Sequence, residues 1–356
     1  MANQPTPGSD PDPTPSPKMT VMAFYQFQRF DDLPLLKAEL LKALQQFQMK
    51  GTILVAHEGI NGTIAGPSPC AEQMLGMLRA IPGLGDLAPK RSYCDEYPFL
   101  RSKVKIKQEI VTMGQPDLDP NQPGEYVSPE DWNALISDPD VVLVDTRNDY
   151  EVDIGTFTGA INPNTTRFRD FPAFVEETLD PAQHKKVAMF CTGGIRCEKS
   201  TAYLKSKGFE SVYHLQGGIL QYLEDVRPED SLWQGDCFVF DERVAVDHTL
   251  EPAGYIQCHA CRRPLTSADT NHPNYVRGES CHHCFAENQR RIKRVSGNAN
   301  VKSIWRERVV RTTWETALKQ PMQNAAWQND QRPHRRLPNL DLGRGGRLIV
   351  RSCLQH

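Results

Sequence analysis

A cysteine opens the segment Cys191-Thr192-Gly193-Gly194-Ile195-Arg196, and the residues after it are those needed to hold a negative sulfur. Val187 to Phe190 is an apolar run that reads as a buried strand, and Ile195 to Gly208 reads as a helix closed by Gly208. The loop therefore joins a strand to a helix N-terminus. Gly193 and Gly194 let successive backbone N–H groups turn on one point, and the helix dipole adds partial positive charge there. Thr192, Gly193, Gly194 and Ile195 form the anion cradle, with the Arg196 guanidinium expected close to the sulfur. A thiolate, a persulfide or a bound oxyanion each fits. Cys191 is thus expected to be reactive, through a lowered thiol pKa; Cys197 in the first helical turn either resolves an oxidised Cys191 or packs, and packing is the expectation.

Two further sets carry chemistry. Cys258, Cys261, Cys281 and Cys284 form a C-x2-C-x19-C-x2-C pattern, the spacing of two zinc knuckles; a closed four-thiolate site has no open position, so the zinc is expected to be structural. His259, His282 and His283 lie beside these residues, but the cysteine set is complete without them. Arg101, Lys103, Lys105 and Lys107 alternate with Val104 and Ile106, so a strand would put the charges on one face. That stripe is either a solvated face or a track for a phosphate backbone. Arg290, Arg291, Lys293 and Arg294 form a second basic cluster, at the start of a basic end. Residues 285–356 hold 15 Lys and Arg against 5 Asp and Glu, while the rest of the chain holds 26 against 39. Trp305, Trp314 and Trp327 offer stacking surfaces beside Arg306, Arg308 and Arg311, and the part after Pro333 reads as a solvated tail.

The elements that must position these residues fall into modules. Val21 to Phe30 reads as a strand, and Asp31 and Asp32 cap a helix reaching about Met49. Thr52 to Ala56 and Thr63 to Ala65 read as strands across a Gly-Ile-Asn-Gly turn. A helix follows over Cys70 to Ala80, and Lys103 to Thr112 is expected to close the set as a strand. That order, βαββαβ, is ferredoxin-like and spans residues 19–113. Residues 114–124, rich in Pro, Asp and Gln, read as a linker. Residues 125–228 alternate strand and helix, which predicts a parallel sheet covered on both faces. A small cysteine-centred module over 229–296 holds too few apolar residues for a core of its own and needs zinc to fold. The fold class is accordingly mixed, α/β and α+β multidomain, flanked by a proline-rich disordered segment 1–18 and a basic, partly disordered tail 297–356.

With 356 residues and a net charge of -3, the chain is long enough for two or three domains. Its ten cysteines come without an apolar signal-like segment near residue 1, so a cytoplasmic protein with reduced thiols is expected rather than a secreted disulfide scaffold. No run approaches the roughly 20 apolar residues that cross a bilayer, so no membrane partner is expected. There is no Gly-x-Gly-x-x-Gly dinucleotide loop and no evident set of two histidines and a carboxylate for iron.

The cradle between Cys191 and Arg196 is one residue shorter than the loop with which cysteine-dependent phosphatases wrap a phosphate, and a tighter loop suits sulfur. It resembles the active-site loop of rhodanese-like domains. The resemblance extends to Asp145-Thr146-Arg147, Tyr150-Glu151, Gly159-Ala160-Ile161-Asn162-Pro163 and Gln216-Gly217-Gly218-Ile219. Over residues 20 to 290 the whole chain resembles the tRNA uridine(34) hydroxylases. That resemblance is carried also by His57 to Gly66, Pro98-Phe99, Lys103 to Gly114, Cys237-Phe238-Val239-Phe240-Asp241 and the paired cysteines. It implies oxygen-dependent 5-hydroxylation of the wobble uridine. Cys191 then matches the family's essential cysteine, molecular oxygen is the co-substrate, the anticodon loop of tRNA is the partner, and no obligate protein partner is implied. The thiol loop taken alone points to a sulfurtransferase acting on a small molecule, a protein or tRNA; an idle RNA-binding adaptor is the third class, and the complete Cys191 loop speaks against it.

Overall fold

The computed structural model describes residues 19–115 and 118–296; the expectations for residues 1–18 and for the tail 297–356, its tryptophans included, lie outside the described residues.

Met19–Phe27 forms β1 and Leu33–Gln46 forms α1. The Asp32 carboxylate starts that helix by accepting the Leu35 N–H at 2.9 Å. Leu33, Leu36, Leu40, Ala43 and Leu44 then recur at helical spacing and turn inward. β2 (Lys50–Ala56), β3 (Gly59–Pro67), α2 (Ser68–Arg79), β4 (Lys90–Cys94) and β5 (Ser102–Ile106) complete a five-stranded sheet of order β4-β1-β3-β2-β5. Its first four strands and two helices are the βαββαβ unit. Two details differ from expectation. The closing strand is Lys90–Cys94, antiparallel to β1; the Lys103 segment is instead a fifth strand, parallel to β2 on the opposite edge. Lys90–Cys94 leaves no apolar signature because, as an edge strand, it buries no side chain completely. Gly59-Ile60-Asn61-Gly62 is not a turn: it lies inside β3, and the chain reverses at His57-Glu58. Gly62 is there for space, since a Cβ would stand 3.0 Å from the Phe24 ring.

The central domain follows with β6 (Glu125–Val127), α3 (Pro129–Ile136), β7 (Val141–Asp145), α4 (Asp149–Val152), β8 (Gly155–Phe157), α5 (Phe171–Thr178), β9 (Lys186–Phe190), α6 (Ile195–Ser206), β10 (Ser211–Leu215) and α7 (Gly218–Asp225). Four strands pair in parallel in the order β6-β10-β9-β7. Alternate residues of β9 face opposite ways, as the strand period requires. Val187 and Met189 pack with Phe171 and Val175 of α5 and Leu204 of α6. Ala188 and Phe190 pack with Trp132 of α3 and Ile219 and Tyr222 of α7. The sheet is therefore covered on both faces, and β9 delivers Cys191 at its C-terminal end, where ligands of such sheets bind.

After α7 the chain returns to this domain. β11 (Trp233–Gly235) pairs with β8, and Trp233 stacks edge-on against Phe157 at 5.2 Å. β12 (Cys237–Phe238) and β13 (Ala245–Val246) form a short ribbon. β14 (Ile256–Gln257), β15 (Pro264–Leu265), α8 (Ser267–Thr270) and α9 (Phe285–Ser296) surround the four cysteines. Among the described residues no helix is long and apolar enough to cross a membrane.

Candidate active site

Cys191 leaves β9 directly into the loop and has no exposed surface. Its Sγ accepts the Gly194 N–H at 3.1 Å. Gly194 has φ +98°, a left-handed conformation that lets the chain enter α6 while aiming that N–H back at the sulfur. Burial works against a thiolate here, but the Cys197 thiol, the Arg196 charge and the backbone N–H groups of Arg196 and Cys197 outweigh it, and the Cys191 pKa falls to about 5. Cys197 goes the other way, pushed far up by burial and by the neighbouring Cys191, so it stays a thiol. Cys197 is packed as expected from its sequence position, and in addition its thiol faces the Cys191 sulfur.

Arg196 sits less freely than the sequence implies. Its guanidinium grips Glu151 with two parallel bonds of 2.7 Å and reaches Thr192 Oγ1 at 3.4 Å. Both partners are buried. Glu151 is held below its usual range despite burial, because Arg196 and then Arg147 outweigh the desolvation. Arg147 in turn binds Asp145 through Nε at 2.9 Å and Nη2 at 2.6 Å, and donates to the Gly155 carbonyl. The Asp145-Thr146-Arg147 motif thus fixes the floor under α4, and α4 holds Arg196.

The loop is closed from above by two neighbours. Gly217-Gly218, both at positive φ, begin α7 against it; a Cβ on Gly218 would stand 2.5 Å from the Cys191 carbonyl oxygen. The second neighbour is the N-terminal domain. The Tyr25 hydroxyl of β1 lies 2.9 Å from where a Gly194 Cβ would be and donates to Glu198 at 2.8 Å; Tyr126 of β6 donates to the other Glu198 oxygen at 2.7 Å. The Lys90 ammonium of β4 donates to the Gly217 carbonyl. Lys199 of α6, buried, binds Glu58 and Glu109, each at 2.8 Å. At the rim the exposed Phe240 ring lies 6.0 Å from the Arg196 guanidinium and packs edge-on against Phe238. Arg243 ties the same segment to Ser92 of β4 at 2.9 Å.

The structure thus gathers Cys191, Thr192, Gly193, Gly194, Ile195 and Arg196 at one point, and Lys103, Lys105, Lys107 and Arg290 make no hydrogen bond or ion pair to it. Lys103 and Lys105 are exposed on β5, and Lys107 is exposed just beyond it. Four strand intervals separate β5 from β4, roughly 19 Å. Arg290 is exposed on α9; Arg291, Lys293 and Arg294 continue that helix, and their side chains lie outside the described residues. Tyr25 and Lys90 are members of the site that no local pattern indicates, because each is brought there by tertiary packing; Glu198 follows the loop on α6, and Phe240 lies in the Cys237-Phe238-Val239-Phe240-Asp241 segment. The thiolate so formed is a nucleophile able to attack a sulfane sulfur or an electron-poor ring carbon.

The four cysteines converge as their spacing predicts, with all four Sγ atoms within 4.8 Å of one another. Cys261 and Cys281 are 3.6 Å apart and Cys281 and Cys284 3.8 Å. Zinc–sulfur bonds of about 2.3 Å in a tetrahedron put sulfurs about 3.8 Å apart, so the cluster could hold zinc.

Comparison with known families agrees with this architecture. Residues 19–110 match the UPF0176 acylphosphatase-like domain, and residues 128–225 match the rhodanese-like domain. The chain has the domain architecture of the UPF0176 family, its N-terminal domain followed by a rhodanese-like domain. Solved structures align with parts of this chain. A rhodanese-like domain from Anabaena sp is 17% identical and covers 32% of this chain and 80% of that one, with a TM-score of 0.27. A protein of unknown function from Rhodopseudomonas palustris, described as a possible tyrosine phosphatase, is 25% identical over 28% of this chain and 80% of that one, with a TM-score of 0.25. An uncharacterized protein from Saccharomyces cerevisiae is 23% identical over 28% and 91%, also with a TM-score of 0.25.

Proposed function

We propose that this chain modifies tRNA by oxygen-dependent 5-hydroxylation of the wobble uridine, position 34, with Cys191 as the reactive group. The observation that carries this reading is the roof over the Cys191 loop. The family-specific N-terminal domain places Tyr25 on Gly194 and Lys90 on Gly217, so the thiolate works inside a two-domain site rather than in a free-standing sulfur carrier. The UPF0176 resemblance supplies the reaction; the geometry supplies a buried, activated thiolate. An anticodon loop is too large for a cradle six residues long, so one splayed base meets the site while phosphates are held elsewhere. The exposed Lys103, Lys105 and Lys107 fit that task, with Arg290 and the rest of its cluster as the second surface. The proposal puts the protein in the cytoplasm, where tRNA is found and where the cysteines, none of them in a disulfide among the described residues, stay reduced.

One oxygen atom of O2 goes to the uridine ring and the other leaves as water, which takes two electrons from a reductant; the test therefore uses purified protein, tRNA from a strain lacking the gene and a thiol reductant, incubated in air and under nitrogen. Hydroxylated uridine in air alone is the expected product, and its absence in both overturns the reading. The lowered Cys191 pKa also favours a second reading, sulfur transfer, for which the thiolate would take the sulfane sulfur of added thiosulfate as a persulfide and release sulfite, with no hydroxylated uridine in air.

Two predictions accompany the proposal. Changing Lys103, Lys105 and Lys107 together to Gln weakens tRNA binding and flattens its log-log salt dependence by about 2, at about 0.7 per lost phosphate contact. Unchanged affinity and slope would make the stripe a solvated face. The four-cysteine cluster is proposed to hold one structural zinc. Cys258→Ser or Cys281→Ser should then lose the metal and destabilise residues 256–284, read as metal content and protease sensitivity. Parent protein without stoichiometric metal under reducing conditions would contradict this.

A further inference from the structure

We infer that Lys90, a residue of the N-terminal domain, is the cation that faces an anionic sulfur on Cys191, so that this domain completes the reaction centre as well as covering it. The inference does not depend on which substrate the site takes.

Three observations converge. The first is position. Lys90 donates to the Gly217 carbonyl, and the adjoining Gly218 lies directly on the loop, 2.8 Å from the Gly194 nitrogen when a Cβ is built on it. The Ile219 N–H, one residue further, donates to the Cys191 carbonyl at 3.0 Å. The second is charge balance. Arg196, the cation that belongs to the loop, is committed to Glu151 by two bonds. Lys90 pairs with no carboxylate among the described residues, and the Gly217 carbonyl takes one of its three donors. A partly buried ammonium with donors to spare is costly unless an anion lies near it. Burial pulls the Lys90 pKa down to about 8, and Cys191 leads the charges that oppose this, ahead of Glu224 and Asp225. The amine is therefore still mostly protonated at neutral pH. The third is enclosure. Tyr25 closes the loop on its Gly194 side, and Cys191 has no exposed surface, so little water screens the two charges.

Lys90 acts on the sulfur as a positioning residue. It stabilises the thiolate, or the terminal sulfur of a persulfide, through space. Other ionisable groups around the sulfur are Arg196, Cys197 and Glu198 on α6, Glu151 on α4, Tyr126 on β6 and Tyr25 on β1, and all remain in the variants proposed.

The experiment is the pH dependence of iodoacetamide labelling at Cys191, resolved by mass spectrometry, in the full chain and in Lys90→Gln, Lys90→Met and Lys90→Arg. Thermal melting of each variant reports on the fold. Loss of the charge should raise the labelling midpoint by about one pH unit in the Gln and Met variants, and Arg should restore the parent midpoint. A role confined to tying the domains together through Gly217 predicts lower melting temperatures and an unmoved midpoint. A folded Lys90→Gln protein that labels with the parent profile overturns the inference. Should Lys90→Met fail to fold, the Gln and Arg pair decides the matter.

Discussion

Cys191→Ser is expected to fold as the parent does and to lose tRNA modification by on the order of a hundredfold or more, because the change removes the nucleophile itself. Serine keeps the shape of the loop and can still accept the Gly194 N–H. Its hydroxyl, however, stays protonated under conditions in which the Cys191 thiol, with a pKa of about 5, has ionised. Complementing a strain that lacks the gene with this variant and digesting its tRNA to nucleosides measures the effect. Parent levels of modified wobble uridine would remove Cys191 from the chemistry.

The second large effect concerns Arg196 and is one of stability. Read from sequence, Arg196→Ala should chiefly raise the Cys191 pKa and slow its alkylation at neutral pH. The structure adds a larger consequence, since the substitution strands the Glu151 carboxylate, buried with its two-bond partner gone. Breaking a buried pair from one side costs about 3–5 kcal/mol, whereas replacing both partners by apolar residues is often near neutral. Urea unfolding should therefore show Arg196→Met strongly destabilised, and Arg196→Met combined with Glu151→Leu largely recovered. A single variant within about 1 kcal/mol of the parent would show that the pair does not hold the loop in place.

What could be read in advance follows from how local each signal is. β9, the cradle and α6 form one continuous stretch whose apolar run, glycines and closing Gly208 are adjacent in sequence, so strand, loop and helix were all legible. So were the four cysteines, where spacing alone dictates convergence. β4 was not, because Lys90-Arg91-Ser92-Tyr93-Cys94 lies on a sheet edge and has no buried face to leave a pattern. Gly59-Ile60-Asn61-Gly62 carried turn residues for another reason, the close approach of Phe24 and the Thr52 carbonyl to Gly62 in a central strand. The Glu151 grip on Arg196 spans 45 residues, and the Tyr25 bond to Glu198 spans 173 between two domains. Neither separation has a period or a motif. The reagent of the site was thus readable from sequence, and its enclosure was not.

Nucleoside mass spectrometry of bulk tRNA from a strain lacking this gene tests the central claim most directly. The account predicts that 5-hydroxyuridine and nucleosides built on it disappear from position 34, while thiolated bases stay at parent levels, and that the parent gene restores the loss. Disappearance of a thiolated base with 5-hydroxyuridine intact, or no change in either, would contradict it.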